Sequence, residues 1–472
     1  MSFLSFHFVV FLLAVVGLNW GLRHRSTARK LTLLAASYYF YMAWDWRFAS
    51  LLVLLTVVNF VAGRGIARSE VTSVRRAWLA FALLVSLGTL AVFKFADFYV
   101  AELQALLQSL GLAGDGSTLR IVLPLGISFF TFQSLSYVLD VYRRQEEECR
   151  DWRDFALFVA FFPTVLAGPI TRARQLLPQL DRADPPVADQ MEEGLALILR
   201  GLVKKVVFAD VLAAQVVGPA FASPGDFSSL FLLVALYAYT FQIYMDVSGY
   251  TDIARGVAAL CGFRLPENFN RPYIAATVSN FWQRWHISMS SFFRDYLYFG
   301  LGGTRHGYVY LNLMLTFVAI GIWHGAGWNF VVYGLIHGGV VCAERWRRGW
   351  RQSRGLSPEP TAGVGWLAGV LVTFHIVVFS RVLFRAPDLE SAAAYMRHLF
   401  SSPSTHTPLA AWPVALLVAA AVLHWWIPSA GTRFVQTFRR LPVVGQAVVL
   451  VGSIYVLMAL SIGTAPFVYF QF

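Results

Sequence analysis

GIWHGAGWNFVVYGLIHGGVVCAERWRRGW, residues 321–350, is the stretch whose reading decides the fold. An apolar run from 309 ends at His324, a second run from 328 to 343 starts after a glycine-rich break, and arginines then crowd in at 345, 347, 348, 351 and 354. Apolar runs bounded by Lys/Arg clusters are the pattern of membrane helices whose basic loops stay on the cytoplasmic side. His324 stands at the join, with Gly321, Gly325 and Gly327 around it and Trp323 and Trp328 interleaved. Glycine lets another backbone or a ligand approach closely. An ionisable group inside an apolar segment costs about 2.5 kcal/mol or more on insertion and calls for a functional hypothesis. His324 is therefore the first candidate for a catalytic base.

The same pattern extends outward in both directions. The 472-residue chain is 57% hydrophobic and only 14% charged, with a mean hydropathy of +0.58; soluble domains carry nearer a quarter charged residues. Apolar stretches at about 3–20, 31–45, 48–63, 77–97, 120–140, 192–218, 228–246, 364–385, 409–427 and 443–463 read as further spans. The expected fold is all-α and polytopic, with about 11–13 membrane helices including short re-entrant or interfacial ones. One membrane domain over 1–472 is expected: scaffold helices in 1–120, a motif-bearing core in 121–345 and C-terminal helices in 346–472. The net charge of +12 sits in short loops, at Arg23, Arg25, Arg29 and Lys30, at Arg64, Arg68, Arg75 and Arg76, and after Arg345. That distribution fits positive-inside topology and excludes a nucleic-acid partner. The run 3–20 has no Lys or Arg ahead of it and a basic cluster behind it, so it reads as a retained first span with its N-terminus outside.

Two segments break the pattern. Phe155–Ile170 is interrupted by Pro163 and the Gly168-Pro169 pair, and its freed backbone groups must meet protein or a cavity. Leu265–Gly303 alternates aromatic and basic residues, which reads as interfacial or half-buried rather than spanning. RWRRGWRQSRGLSPEP, from Arg345, reads as a cytoplasmic loop. Cys149, Cys261 and Cys342 form no CxxC pair, so no zinc site or disulfide framework is indicated and no metal is expected.

Besides His324, two places hold ionisable residues in or beside apolar segments. Asp246, Asp252 and Arg255 lie in YMDVSGYTDIARG, where an internal ion pair is the plain reading and Asp252–Arg255 has the i to i+3 spacing for it. Arg284 and His286 lie in QRWHIS, where His286 is either an interfacial ring or a functional one. Some twenty helical residues at 1.5 Å each separate His324 from Arg345, about 30 Å, which puts His324 toward the outer face. His286, in a basic segment, suits the inner one.

The motifs ISFFTFQSLSYVLDVYRR (from Ile127), FFPTVLAGPI (from Phe161), MDVSGYTDIARG (from Met245), RLPENFNRPYIAATVSNFWQRWHISMSSFFRDYLYFGLGG (from Arg264), GIWHGAGWNFVVYGLIHG (from Gly321) and the terminal FVYFQF together resemble the membrane-bound O-acyltransferases. The nearest resemblance is to the bacterial alginate O-acetylation branch. It implies a multi-helix fold around a tunnel, an acyl donor on the cytoplasmic side, the family's invariant histidine at His324 and its second motif histidine at His286. It also implies a bacterial inner-membrane protein that O-acetylates an exported polysaccharide, such as alginate or cellulose, beside a periplasmic acetyltransferase partner. Peptidoglycan O-acetylation and D-alanyl transfer to teichoic acid are alternatives within the fold.

Transfer from a thioester such as acetyl-CoA needs a base with a pKa near ambient pH, and neutral histidine supplies one. His324 fits that role, or the role of an acyl-accepting nucleophile. Trp323, Trp328, Asn329 or the backbone N–H groups of Gly325–Gly327 are candidate oxyanion donors. Asp246 is a further substrate-site candidate, while Arg284, Arg294 and Arg271 are candidates for donor phosphates, with headgroup anchoring as the plain alternative. No phosphate-loop or HExxH motif occurs, which excludes P-loop ATPases and zincins. The rival classes are a transporter or flippase, in which Asp246 and Asp252 would relay protons, and a structural conduit.

Overall fold

The computed structural model describes residues 1, 3–112, 121–181, 188–305, 307–357, 359, 362–401, 410–427, 429–460 and 467. Among the described residues every regular element is helical. Four helices are long and apolar enough to cross a membrane: Trp46–Arg68, Thr72–Ser109, Ser229–Leu260 and Gly363–Arg385. Shorter apolar helices include Phe6–Gly21 and Val309–His324. The chain forms two compact units, one of residues 1–195 and 254–266, the other of 196–253 and 267–472. Of the terminal FVYFQF motif only Phe467 is among the described residues.

In the first unit the proline-broken segment is buried without interruption from Phe155 to Ala173. Helix Trp152–Ala160 gives way to turns before Pro163, and side chains from neighbouring helices take up backbone groups around the break. Gln133 Nε2 donates to Phe158 O, its Oε1 accepts from Thr171 N at 3.4 Å, and Ser37 Oγ accepts from Phe162 N at 3.1 Å. The break thus meets protein, as irregular backbone in an apolar medium must. Two of the first basic cluster turn inward: Arg29 donates to Leu180 O (2.7 Å), and Lys30 pairs with Asp154 (2.8 Å) and Asp181 (2.5 Å).

In the second unit, the helix ending at Leu202 continues as a π-helical stretch, Val203–Asp210, and meets helix Ser229–Leu260 at a glycine pair. A methyl group on Gly249 would sit 2.9 Å from Gly201 O, so only glycine permits this crossing. The close approach lets cations of the first helix reach carboxylates of the second. Arg200 and Lys204 pair with Asp252 at 2.5 and 2.7 Å, and Lys205 pairs with Asp210 at 2.8 Å and Asp246 at 2.9 Å. The carboxylates are ion-paired as their burial requires, but the partners of Asp252 are Arg200 and Lys204, not Arg255. Sequence spacing offered a partner on the same helix, whereas the glycine crossing supplies better-placed ones from another.

Helix Val309–His324 packs against Trp328–Ser353 through a glycine face: a methyl on Gly334 would lie 2.5 Å from Phe317 O. One sequence expectation is corrected here and another sharpened. The basic stretch from Arg345 is not a loop at first but the last turns of a 26-residue helix. Arg, Trp and Gln do not break helices, and the helix stops only where Gly355 adopts φ 68° and Leu356 N bonds Arg351 O at 3.0 Å. Several side chains of Leu265–Gly303 pack deeper than a half-buried stretch would: Tyr273, Val278, Phe281, Trp285, His286 and Met289 are buried in the second unit's core. The alternation along this stretch reflects short broken helices, Val278–Arg284 and Ile287–Phe292, that turn rings inward while Arg284 and Arg294 stay at the edge.

Candidate active site

His324 is the last residue of helix Val309–His324, after which Gly325 leaves the helix in extended conformation (φ −168°, ψ 162°). The side chain is 2% exposed. Its imidazole is walled by rings, with centroids at 4.9 Å to Trp323, 4.9 Å to Phe384 and 6.1 Å to Tyr333.

His286 belongs to the same ring cluster. It is 1% exposed, and its ring stands edge-on to Trp323 at 5.7 Å and 88°. The two motif histidines, 38 positions apart, therefore share one indole between them. Asn268 sets the His286 position: its backbone carbonyl accepts from Ile287 N and its Oδ1 accepts from Ser288 N and Ser288 Oγ, each at 2.9 Å. His286 itself lies at φ 46°, ψ 55°, a left-handed conformation uncommon outside glycine but one that histidine takes more readily than most side chains. Burial pushes its imidazolium pKa down to about 3, so His286 is neutral at physiological pH.

The remaining candidates divide. Trp323 is at the centre of the cluster. Asn329 is buried beside it but gives both amide hydrogens to carbonyls, Leu383 O at 3.0 Å and Ala386 O at 2.9 Å. It pins the start of helix Trp328–Ser353 to the end of helix Gly363–Arg385, which is a positioning role. Trp328 faces outward at 54% exposure. Arg284 bonds Asn280 Oδ1 (2.9 Å) and Asn270 O (3.3 Å), tying QRWHIS to NFNRPY. Arg271 caps helix Ala411–Trp425 through His424 O (3.0 and 2.9 Å) and Trp425 O (3.1 Å), and Arg294 is exposed beside Asp295 at 2.8 Å. Asp246 belongs to the Lys205 ion-pair network.

Two buried polar residues here escaped the sequence reading. His337 accepts from Trp282 Nε1 at 3.2 Å through Nδ1, and its Nε2 meets Ser380 Oγ at 3.0 Å. An indole only donates, so the proton of His337 sits on Nε2. Arg381, 1% exposed, lies over Trp285 at 4.5 Å and Phe384 at 5.4 Å. An arginine inside the apolar run 364–385 was a visible signal, because it meets the criterion that singled out Asp246 and His324. What the sequence did not carry was its place over Trp285 and Phe384.

The structure thus brings the two motif histidines together around one indole, His324 at a glycine turn and His286 beside it, buried in an all-helical apolar protein. The family model for membrane-bound O-acyltransferases matches residues 151–384, which contain this whole cluster. The probable alginate O-acetylase of Azotobacter vinelandii is 40% identical over 397 residues, covering 83% of this chain and 77% of the relative. The chain belongs to the membrane-bound O-acyltransferase family. The peptidoglycan O-acetyltransferase of Helicobacter pylori is 34% identical, covering 78% of this chain and 73% of the relative. The teichoic acid D-alanyltransferase of Streptococcus thermophilus is 29% identical over 55% of this chain. As a member of this family the protein is a multi-pass membrane O-acyltransferase.

Proposed function

We propose that this O-acyltransferase moves acetyl groups from a cytoplasmic thioester, acetyl-CoA, across the bacterial inner membrane for O-acetylation of an exported polysaccharide of the alginate or cellulose type, working with a periplasmic acetyltransferase partner. The observation that carries the reading is the approach of both His286 and His324 to Trp323, at ring distances of 5.7 and 4.9 Å. In this scheme the acceptor hydroxyl gives its proton to His324 as its oxygen attacks the thioester carbonyl. The neutral His286 stands beside the same indole without adding charge. The first run of apolar residues, followed by its basic cluster, supports a periplasmic N-terminus.

Likeness to the alginate O-acetylases over 83% of the chain favours a polysaccharide acceptor. Likeness to the Helicobacter enzyme favours peptidoglycan as the second reading. The transporter reading loses support because Asp246 and Asp252, its proton carriers, are each held by cations at 2.9 Å or less.

The test is transfer of radiolabelled acetyl from acetyl-CoA in proteoliposomes, wild type beside His324→Ala, with insertion checked and the periplasmic partner present and absent. Transfer by wild type alone supports the scheme. Equal transfer by both removes His324 from the mechanism, and a silent wild type rejects acetyl-CoA as donor.

A further inference from the structure

We infer that Arg381 is the oxyanion-binding group of this site, holding the oxygen of the acyl carbonyl while His324 handles the proton. The inference rests on the acyl-transfer reading above and goes beyond it by naming a residue outside the two histidine motifs.

Arg381 lies inside the apolar helix Gly363–Arg385 with almost no exposure. A guanidinium at such a place keeps its charge, because arginine is not deprotonated in proteins, and a charge in a span is costly enough to mark a working position. Its surroundings join the two halves of the histidine cluster. The guanidinium carbon is 4.5 Å from the ring of Trp285, the residue before His286, and 5.4 Å from the ring of Phe384, which is itself 4.9 Å from His324. The helix carrying it is fixed relative to the His324 turn by the two Asn329 bonds to Leu383 O and Ala386 O. The phenol oxygen of Tyr273 accepts a hydrogen bond from the guanidinium, which orients it, and Tyr333 and His337 lie near enough to feel its charge. A guanidinium has five N–H donors, so this one bond leaves it able to meet an oxyanion as well.

The chemistry asks for such a group. When the hydroxyl oxygen attacks, a C–O bond forms, the carbonyl π pair moves onto oxygen and the hydroxyl proton goes to His324. On collapse that pair re-forms the carbonyl, the C–S bond breaks, and the sulfur leaves with the proton returned from His324. Negative charge exists on the carbonyl oxygen only between these steps. A planar cation with parallel N–H donors, fixed in a dry aromatic box, stabilises it more than it stabilises the ground state. Asn329, the amide offered for this role by sequence, has both hydrogens engaged elsewhere.

A purely structural arginine would act as a strut between Trp285 and Phe384, and kinetics separate the two roles. Wild type, Arg381→Met and Arg381→Lys are compared in proteoliposomes for kcat, KM and melting temperature. The oxyanion role gives Arg381→Met a kcat about 10²–10³-fold lower, KM within about threefold and a melting temperature within a few degrees, with Arg381→Lys recovering about tenfold. A strut lowers the melting temperature and leaves kcat per folded molecule within threefold of wild type, and that result overturns the inference, as does a Lys variant no better than Met. If Arg381→Met does not insert, Arg381→Gln replaces it under the same criteria. If wild type itself is silent with acetyl-CoA, the donor reading fails and the variants are ranked instead by ester-bound acetyl on the polymer their cells export. The order wild type, Lys, Met there supports the inference, and equal acetylation overturns it.

Discussion

Two buried polar clusters in the second unit solve the problem of charge in an apolar medium differently. Around Gly201 and Gly249, carboxylates meet cations: Asp252 with Arg200 and Lys204, and Asp246 and Asp210 with Lys205. Around Trp323 and Trp285 the ionisable groups are imidazoles, those of His286, His324 and His337, and the Arg381 guanidinium, all set among aromatic rings. Matched charges neutralise one another and hold helices together, so they have little left to offer a substrate. Imidazoles and an arginine against rings keep their proton-transfer and anion-binding capacity within a dry space. Burial of ionisable residues alone does not separate function from scaffold; the chemistry of the neighbours does.

The contrast predicts separable losses. The largest should come from His324→Ala, with transfer down about 10³-fold, within the range for removing a general base, while insertion and melting temperature stay near wild type. A variant retaining a tenth of the activity would break the comparison. Asp252→Asn should do the opposite. Leaving Arg200 and Lys204 facing a neutral amide costs about 3–5 kcal/mol of stability, read as a lower melting temperature, while the folded fraction transfers acetyl within threefold of wild type.

Asn329→Ala should fall between the two. It strands the carbonyls of Leu383 and Ala386, costing about 1–3 kcal/mol, and it loosens the helix that carries Arg381, so both melting temperature and kcat should drop. A change in one without the other would move Asn329 wholly into one cluster. The smallest effect is a pH dependence. His286 titrates near 6.5 when unfolded and near 3 in place, so the unfolded chain binds the extra proton between these values. The stability gained by keeping the ring neutral is complete above about pH 6.5 and is lost as pH falls toward 3. Melting temperature should decline from pH 6.5 to 4.5 in wild type and decline less in His286→Gln.

Much of this was readable from residue order. The all-helical apolar architecture follows from run lengths, and the glycines around His324 marked its turn. The buried carboxylates announced ion pairs, although Asp252 takes its cations from residues 48 and 52 positions away, beyond the reach of helical spacing. The aromatic-basic pattern of 265–303 understated the burial because a helix broken every six or seven residues can bury rings that a continuous one would expose. Arg381 was visible as a charge in an apolar run, but its significance lies in Trp285 and Phe384, which only the folded chain brings to it.

The glycine crossing also bears on how the protein is made. Arg200, Lys204 and Lys205 are synthesised before Asp246 and Asp252, Lys204 standing 48 positions ahead of Asp252. At about 5–20 residues per second the cations precede their partner by about 2–10 s. Lys205 has Asp210 on its own stretch, but a helix whose Arg200 and Lys204 still await their carboxylate is a poor candidate for release into lipid alone, so the economical route is to wait at the insertion machinery until helix Ser229–Leu260 arrives and to leave as a charge-balanced hairpin. The Gly201–Gly249 contact would then be an assembly checkpoint, and bulk at either position would show itself first as failed biogenesis.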